Sequence, residues 1–122
     1  MYIPVDLWFR AFLLTLAIEA PIVAPLLRRW EPSPPRLLAL IFFANLASHP
    51  AIWFVLTQLL VIGTPGYLAV AEAWAIGCEA LFYWAAFRGL PVRRAIVVSL
   101  AANAASFAAG LLVTAVWPGW AW

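Results

Sequence analysis

The stretch Arg36–Pro50, RLLALIFFANLASHP, decides the fold. An arginine opens it and an apolar run follows, the order of a helix that enters a bilayer from a basic interface. Then Asn45, Ser48 and His49 appear at a depth where hydrocarbon tails offer no hydrogen bond. The same order returns in Arg94–Ser106, RAIVVSLAANAAS: an arginine, an apolar run, an asparagine nine residues on and a serine three further.

Composition extends this reading to the whole chain. Its 122 residues are 67% hydrophobic and 10% charged, against about 45–50% and about 25% in soluble domains. A single domain of this size buries the smallest fraction of its surface, so lipid must cover the excess. Four segments reach the roughly 20 residues a crossing needs. They run from about Val5 to Leu27, Leu37 to Ile62, Tyr67 to Phe87 and Ala95 to Trp117. The expected fold class is therefore all-α: a polytopic four-helix transmembrane bundle over 1–122. Clustered prolines in RRWEPSPPR and the Gly63–Gly66 sequence GTPG predict non-helical connections. Pro21, Pro25 and Pro50 predict interruptions in the first two helices. The tail Trp117–Trp122 reads as an aromatic interface anchor.

The charges orient the bundle. All seven basic residues are arginines, and six of them (Arg28, Arg29, Arg36, Arg88, Arg93, Arg94) fall in the first and third connections. Positive residues stay on the cytoplasmic side, which predicts both termini and the middle turn outside. Arg10 alone is out of pattern. Basicity placed this way serves topology, and no nucleic-acid partner is expected. Arginine without lysine, beside heavy Ala, Pro and Trp use, suggests a GC-rich bacterial genome, hence the bacterial inner (cytoplasmic) membrane. Asp6 stands where a signal peptide carries a basic region, and no cleavage site follows, so the first span is expected to be retained. The single cysteine, Cys78, excludes an internal disulfide and any C-x-x-C site.

The halves, about 1–62 and 67–122, repeat. Glu19 precedes Arg28 by nine residues, as Glu79 precedes Arg88, and Asn45-x-x-Ser48 matches Asn103-x-x-Ser106. Both hairpins enter from one side, so the repeat is parallel about an axis along the membrane normal. Nine helical residues span about 13.5 Å, near half of a roughly 30 Å hydrocarbon core. Glu19, Asn45, Glu79 and Asn103 are thus expected in one midplane layer, with Ser48 and Ser106 about a turn further out. His49 and Glu72 lie outward on the faces of Asn45 and Glu79, and Tyr83 is one turn from Glu79, placed to hydrogen-bond it. Ser99, Asn103, Ser106 and Gly110 form a small and polar seam suited to close helix contact.

An ionised carboxylate at the bilayer centre costs at least ~3 kcal/mol, and two side by side repel. At least one of Glu19 and Glu79 is therefore expected to carry a proton. With no Lys or Arg in the layer, a proton or a bound cation must balance the charge, while the asparagines can donate or accept. The competing reading is a hydrogen-bonded clasp that fixes helix register, built of contacts averaging about 0.6 kcal/mol each. His49 and Glu72, which have Phe107 and Phe12 at the matching offsets, extend the layer as an outward polar track, together with Tyr83. Alternatively Glu72 pairs with Arg10, and His49 satisfies a carbonyl freed by Pro50. A metal held by His49, Glu19, Glu72 and Glu79 stays open, although one histidine without an H-E-x-x-H pattern is a thin ligand set. No haem or other cofactor is expected. Ser48 and His49 are neighbours about 100° apart on a helix and make no hydrolase pair, so enzymatic activity is not the expectation. Trp53, Trp74 and Trp84 read as packing and lipid-facing bulk.

These motifs together, Glu19, Asn45-x-x-Ser48-His49-Pro50, Glu72 with Glu79, and Ser99-x-x-x-Asn103-x-x-Ser106-x-x-x-Gly110, resemble a group of small bacterial four-span membrane proteins without an assigned activity. The resemblance implies a fold and no chemistry. The glutamate in the first span also invites comparison with small multidrug-resistance transporters, but the third span does not match theirs and they carry no such parallel repeat. The functional expectation is binding or passage of protons or a cation at the midplane layer, alone or as a homo-oligomer. The alternative is an accessory subunit of a larger membrane complex.

Overall fold

The computed structural model describes residues 5–119. Four helices long and apolar enough to cross a membrane account for most of them: Val5–Leu27, Pro34–Leu59, Pro65–Ala86 and Val92–Val116. The first helix contacts the second and fourth, and the third contacts the same two, so the four stand in a ring. The arginine-rich connections lie at one end of the bundle and the Gly63 turn at the other. Beyond Trp117, which is exposed, the aromatic anchor read at the tail extends to 120–122, outside the described residues.

Helix boundaries differ from expectation where proline was read as a breaker. Pro34 and Pro35 begin the second helix instead of holding it off, and Pro65 begins the third. First-turn N–H groups have no helical partner, so proline sacrifices nothing there, and its fixed φ suits the helix. Thr64 completes the start of the third helix: its Oγ1 accepts from the Tyr67 N–H at 3.3 Å and donates to the Val61 carbonyl at 2.7 Å. Gly63 supplies the left-handed turn before it, at φ 79°. Leu60, at φ −133° and ψ 150°, ends the second helix three residues short of Ile62.

Inside the spans, proline acts unequally. The first helix runs unbroken through Pro21 and Pro25, both on its exposed side. Pro50 is followed by a π-helical turn, Ile52–Leu56, in which the second helix loosens. The Ile52 N–H turns to the His49 carbonyl. The third helix supplies donors to this stretch: Trp74 Nε1 donates to the Ser48 carbonyl at 3.1 Å, and the Tyr67 hydroxyl to the Ile52 carbonyl at 3.4 Å. Neighbouring side chains thus satisfy backbone released inside the bundle, as a bilayer requires. Trp74, read as bulk, is a donor to that stretch, and Trp53 is buried while Trp84 stays half exposed.

The bundle is packed differently at its two ends. On the arginine side of the Glu19–Glu79 layer the helices close on an apolar core that includes Leu27, Ile41, Ala44, Tyr83, Ala95 and Ala102. Alanines at the contacts let the backbones approach closely. The guanidinium groups of Arg29 and Arg94 both lie over the Trp30 ring, at 5.9 and 6.0 Å from its centroid, and Arg36 pairs with Glu31 at 3.2 Å. On the far side the first two helices are zipped by aromatic rings: Phe12 meets Trp8, Phe42 and His49, with centroids 5.7, 5.6 and 5.6 Å away. The remaining space there is a cavity.

Candidate functional site: a buried carboxyl pair below a cavity

Each helix delivers polar side chains to one layer. Glu19 of the first, Asn45 and Ser48 of the second, Glu79 of the third and Asn103 of the fourth are buried, and Ser106 is partly so. The structure brings these six together. Ser48 Oγ donates to Glu79 Oε1 at 2.8 Å, and Asn103 Nδ2 donates to Glu79 Oε2 at 2.8 Å. Ser106 Oγ donates to Glu19 Oε1 at 2.7 Å. Glu19 also lies close to Asn45 and to the Glu79 carboxyl.

Two atoms of the layer lack a hydrogen-bond partner: Glu19 Oε2 and Asn45 Oδ1. Both are acceptors in residues with no solvent exposure, so what the layer lacks is a donor. Asn45 spends its Nδ2 on the Ile41 carbonyl at 3.2 Å. No arginine approaches: the ion pair found among the described residues is Arg36–Glu31, at the bundle end. A proton on Glu19 would supply the missing donor within reach of both Asn45 and Glu79.

A cavity of about 480 Å³ extends from this layer to the Gly63 turn, with Ser48, Glu79, Asn103 and Ser106 at its floor. His49 and Glu72 line its wall, beside Thr15, Trp53, Tyr67 and Phe107. Neither alternative partnership forms: Glu72 makes no ion pair with Arg10, and His49 Nδ1 is buried without any partner rather than bonded to a freed carbonyl. His49 instead packs edge-on to Phe12 and stacks on Trp53, with ring centroids 5.6 and 6.2 Å away.

Tyr83 does not follow expectation. Its side chain is fully buried on the arginine side of Glu79, in the apolar core, where its hydroxyl bonds nothing. One helical turn put it on the face of Glu79, but its ring leans against Phe87, with centroids 6.0 Å apart, so it joins no outward track. Gly110 is likewise no contact point of the fourth-helix seam. A Cβ there would meet nothing within 4 Å, because the residue faces the cavity. The other members of the seam do make contact, and Ser99 Oγ donates to the Ile76 carbonyl of the third helix at 2.9 Å.

Among the described residues no three of His, Cys, Asp and Glu are grouped closely enough to hold a metal ion, so Glu19, Glu72, Glu79 and His49 do not form one ligand set. Sequence reasoning missed the cavity itself and the role of Trp74. The small residues Ala71, Ala75 and Gly110, spaced along the third and fourth helices, were the available signal for the first. The chain matches no protein-family model, no curated protein and no solved structure. Function therefore rests on the geometry of the site.

Proposed function

We propose that this multi-pass membrane protein binds a proton between Glu19 and Glu79 and passes it across the bilayer. One observation carries the reading: two buried carboxyls lie close together, with two acceptors of the layer unpartnered and no arginine paired to either carboxyl among the described residues. Charge balance then requires a cation, and a proton is the one that also supplies the absent donor. The pair sits between a cavity on one side and an apolar seal on the other. That is the place from which a change of packing would expose it to the opposite face.

The hydrogen bonds also support a duplicated hairpin. Ser48 donates to the glutamate of the other half and so does Ser106, a reciprocal exchange that a parallel repeat would produce. The arginine distribution favours an inner-membrane orientation with the cavity outside and the seal toward the cytoplasm.

A second reading has an observation of its own. The Ser48 and Ser106 hydroxyls can turn instead to carbonyls of their own helices, at 3.2 and 3.1 Å, and Asn103 donates its second N–H to the Ser99 carbonyl at 3.0 Å, so the layer would serve as a clasp with or without a moving proton. The chain would then be an accessory subunit held in a larger membrane complex or to a second copy of itself. Proteoliposomes with an internal pH dye separate the two. Proton flux above that of empty vesicles, reduced at least tenfold in Glu19→Gln and in Glu79→Gln, is expected. Wild-type vesicles as tight as empty ones would leave the clasp.

A further inference from the structure

The cavity is far larger than a proton path needs. At about 480 Å³ it holds many waters, each with a share of about 30 Å³, and falls within the roughly 300–1,000 Å³ of small-molecule pockets. Its wall is mostly apolar, with Leu14, Ala71, Ala75 and Leu111 among the lining residues, and three aromatic rings face it from Trp53, Tyr67 and Phe107. The charge-bearing groups on that wall are Glu72 and Glu79, with His49 also lining it and no arginine. His49 is more than nine-tenths buried and its Nδ1 has no partner.

We propose that the cavity binds a hydrophobic organic monocation, an alkylated or aryl-substituted ammonium, which displaces the proton of the carboxyl pair. This rests on the proton-binding reading above. A small hydrated metal ion would exchange its water for apolar wall, at a large desolvation cost. An ammonium whose charge lies under alkyl groups loses little on entry and gains from aromatic faces and from a carboxylate in a low-dielectric setting. An anion would face two carboxyls and no arginine.

Competition for Glu79 fixes the coupling. The groups facing it are Glu19 from the first helix, Ser48 with His49 beside it from the second, and the neutral Asn103 and Ser106 from the fourth. Glu72, Cys78 and Tyr83 flank it on its own helix. One cation entering with the loss of one proton leaves the net charge of the layer unchanged. By reciprocity the proton weakens the cation as much as the cation weakens the proton, so affinity rises with pH.

The test is calorimetric titration of the purified protein in lipid nanodiscs with benzyltrimethylammonium, and with phenylmethanesulfonate as an anion of similar shape. Two buffers of different ionisation enthalpy count the protons released. Saturable binding of the cation alone is expected, with about one proton released and affinity at least tenfold lower in Glu79→Gln. Gly110→Phe, whose ring would enter open space, is expected to fold, to keep the protonated carboxyl in its infrared spectrum and to lose the cation. Absence of saturable cation binding, equal binding of the sulfonate, or full affinity in Gly110→Phe overturns the cation site. If cation binding fails while proton flux persists, the proton reading stands alone. Cation binding without proton release would contradict the coupling.

Discussion

Asn103→Asp is expected to destabilise the bundle by about 3 kcal/mol or more at alkaline pH and to be nearly silent at acid pH. Asn103 Nδ2 lies 2.8 Å from Glu79 Oε2, 3.0 Å from the Ser99 carbonyl and 3.4 Å from Ser99 Oγ. Three acceptors converge on one donor. An ionised aspartate would place an oxygen there, adding a charge whose cost at the bilayer centre is at least about 3 kcal/mol and setting it against a glutamate. A protonated aspartic acid restores a donor to Glu79, leaving only the intrahelical bond to the Ser99 carbonyl unmade. Stability should therefore be present at low pH and fall as the pH rises through ionisation of the new carboxyl. Unfolding in mixed micelles at several pH values checks this. A uniform loss would mean that Glu79 does not govern the site.

Tyr83→Phe should stabilise the protein, by about 1–3 kcal/mol, the desolvation cost of a buried hydroxyl without a partner. The ring keeps its contacts with Phe82 and Phe87, and nothing donates to or accepts from the oxygen. Core truncations usually destabilise, so the sign is diagnostic. A loss of stability would show that the hydroxyl is tied into the layer after all. Denaturant unfolding of the two proteins side by side is sufficient.

What the sequence disclosed and what it withheld follow from the range of the interactions. The four spans were legible because 67% hydrophobic residues in a chain of 122 have nowhere to go but lipid. The layer was legible because a nine-residue interval between arginine and polar residue is a depth, and depth depends on helical rise alone. Thus Glu19, Asn45, Glu79 and Asn103 arrive together although up to 84 positions separate them (103 − 19). Rotation was harder. Tyr83 and Gly110 sit at the right heights, but which side of a helix meets a neighbour depends on the packing of the other three. The π turn after Pro50 was hidden for a similar reason, since the Ile52 carbonyl in it and the Ser48 carbonyl before it are met by Tyr67 and Trp74 from a different helix. The first-turn prolines were open to a correct local reading, because Pro34 and Pro65 each follow a Ser or Thr and precede an apolar run.

The account depends on a proton held between two glutamates, and infrared spectroscopy of the protein in lipid observes it most directly. At neutral pH the wild type should show the carbonyl stretch of a protonated carboxylic acid, shifted in D₂O as the mobile proton exchanges. Glu19→Gln and Glu79→Gln should each remove or shift it. A spectrum with carboxylate bands alone, or an acid band indifferent to both substitutions, would contradict the shared proton.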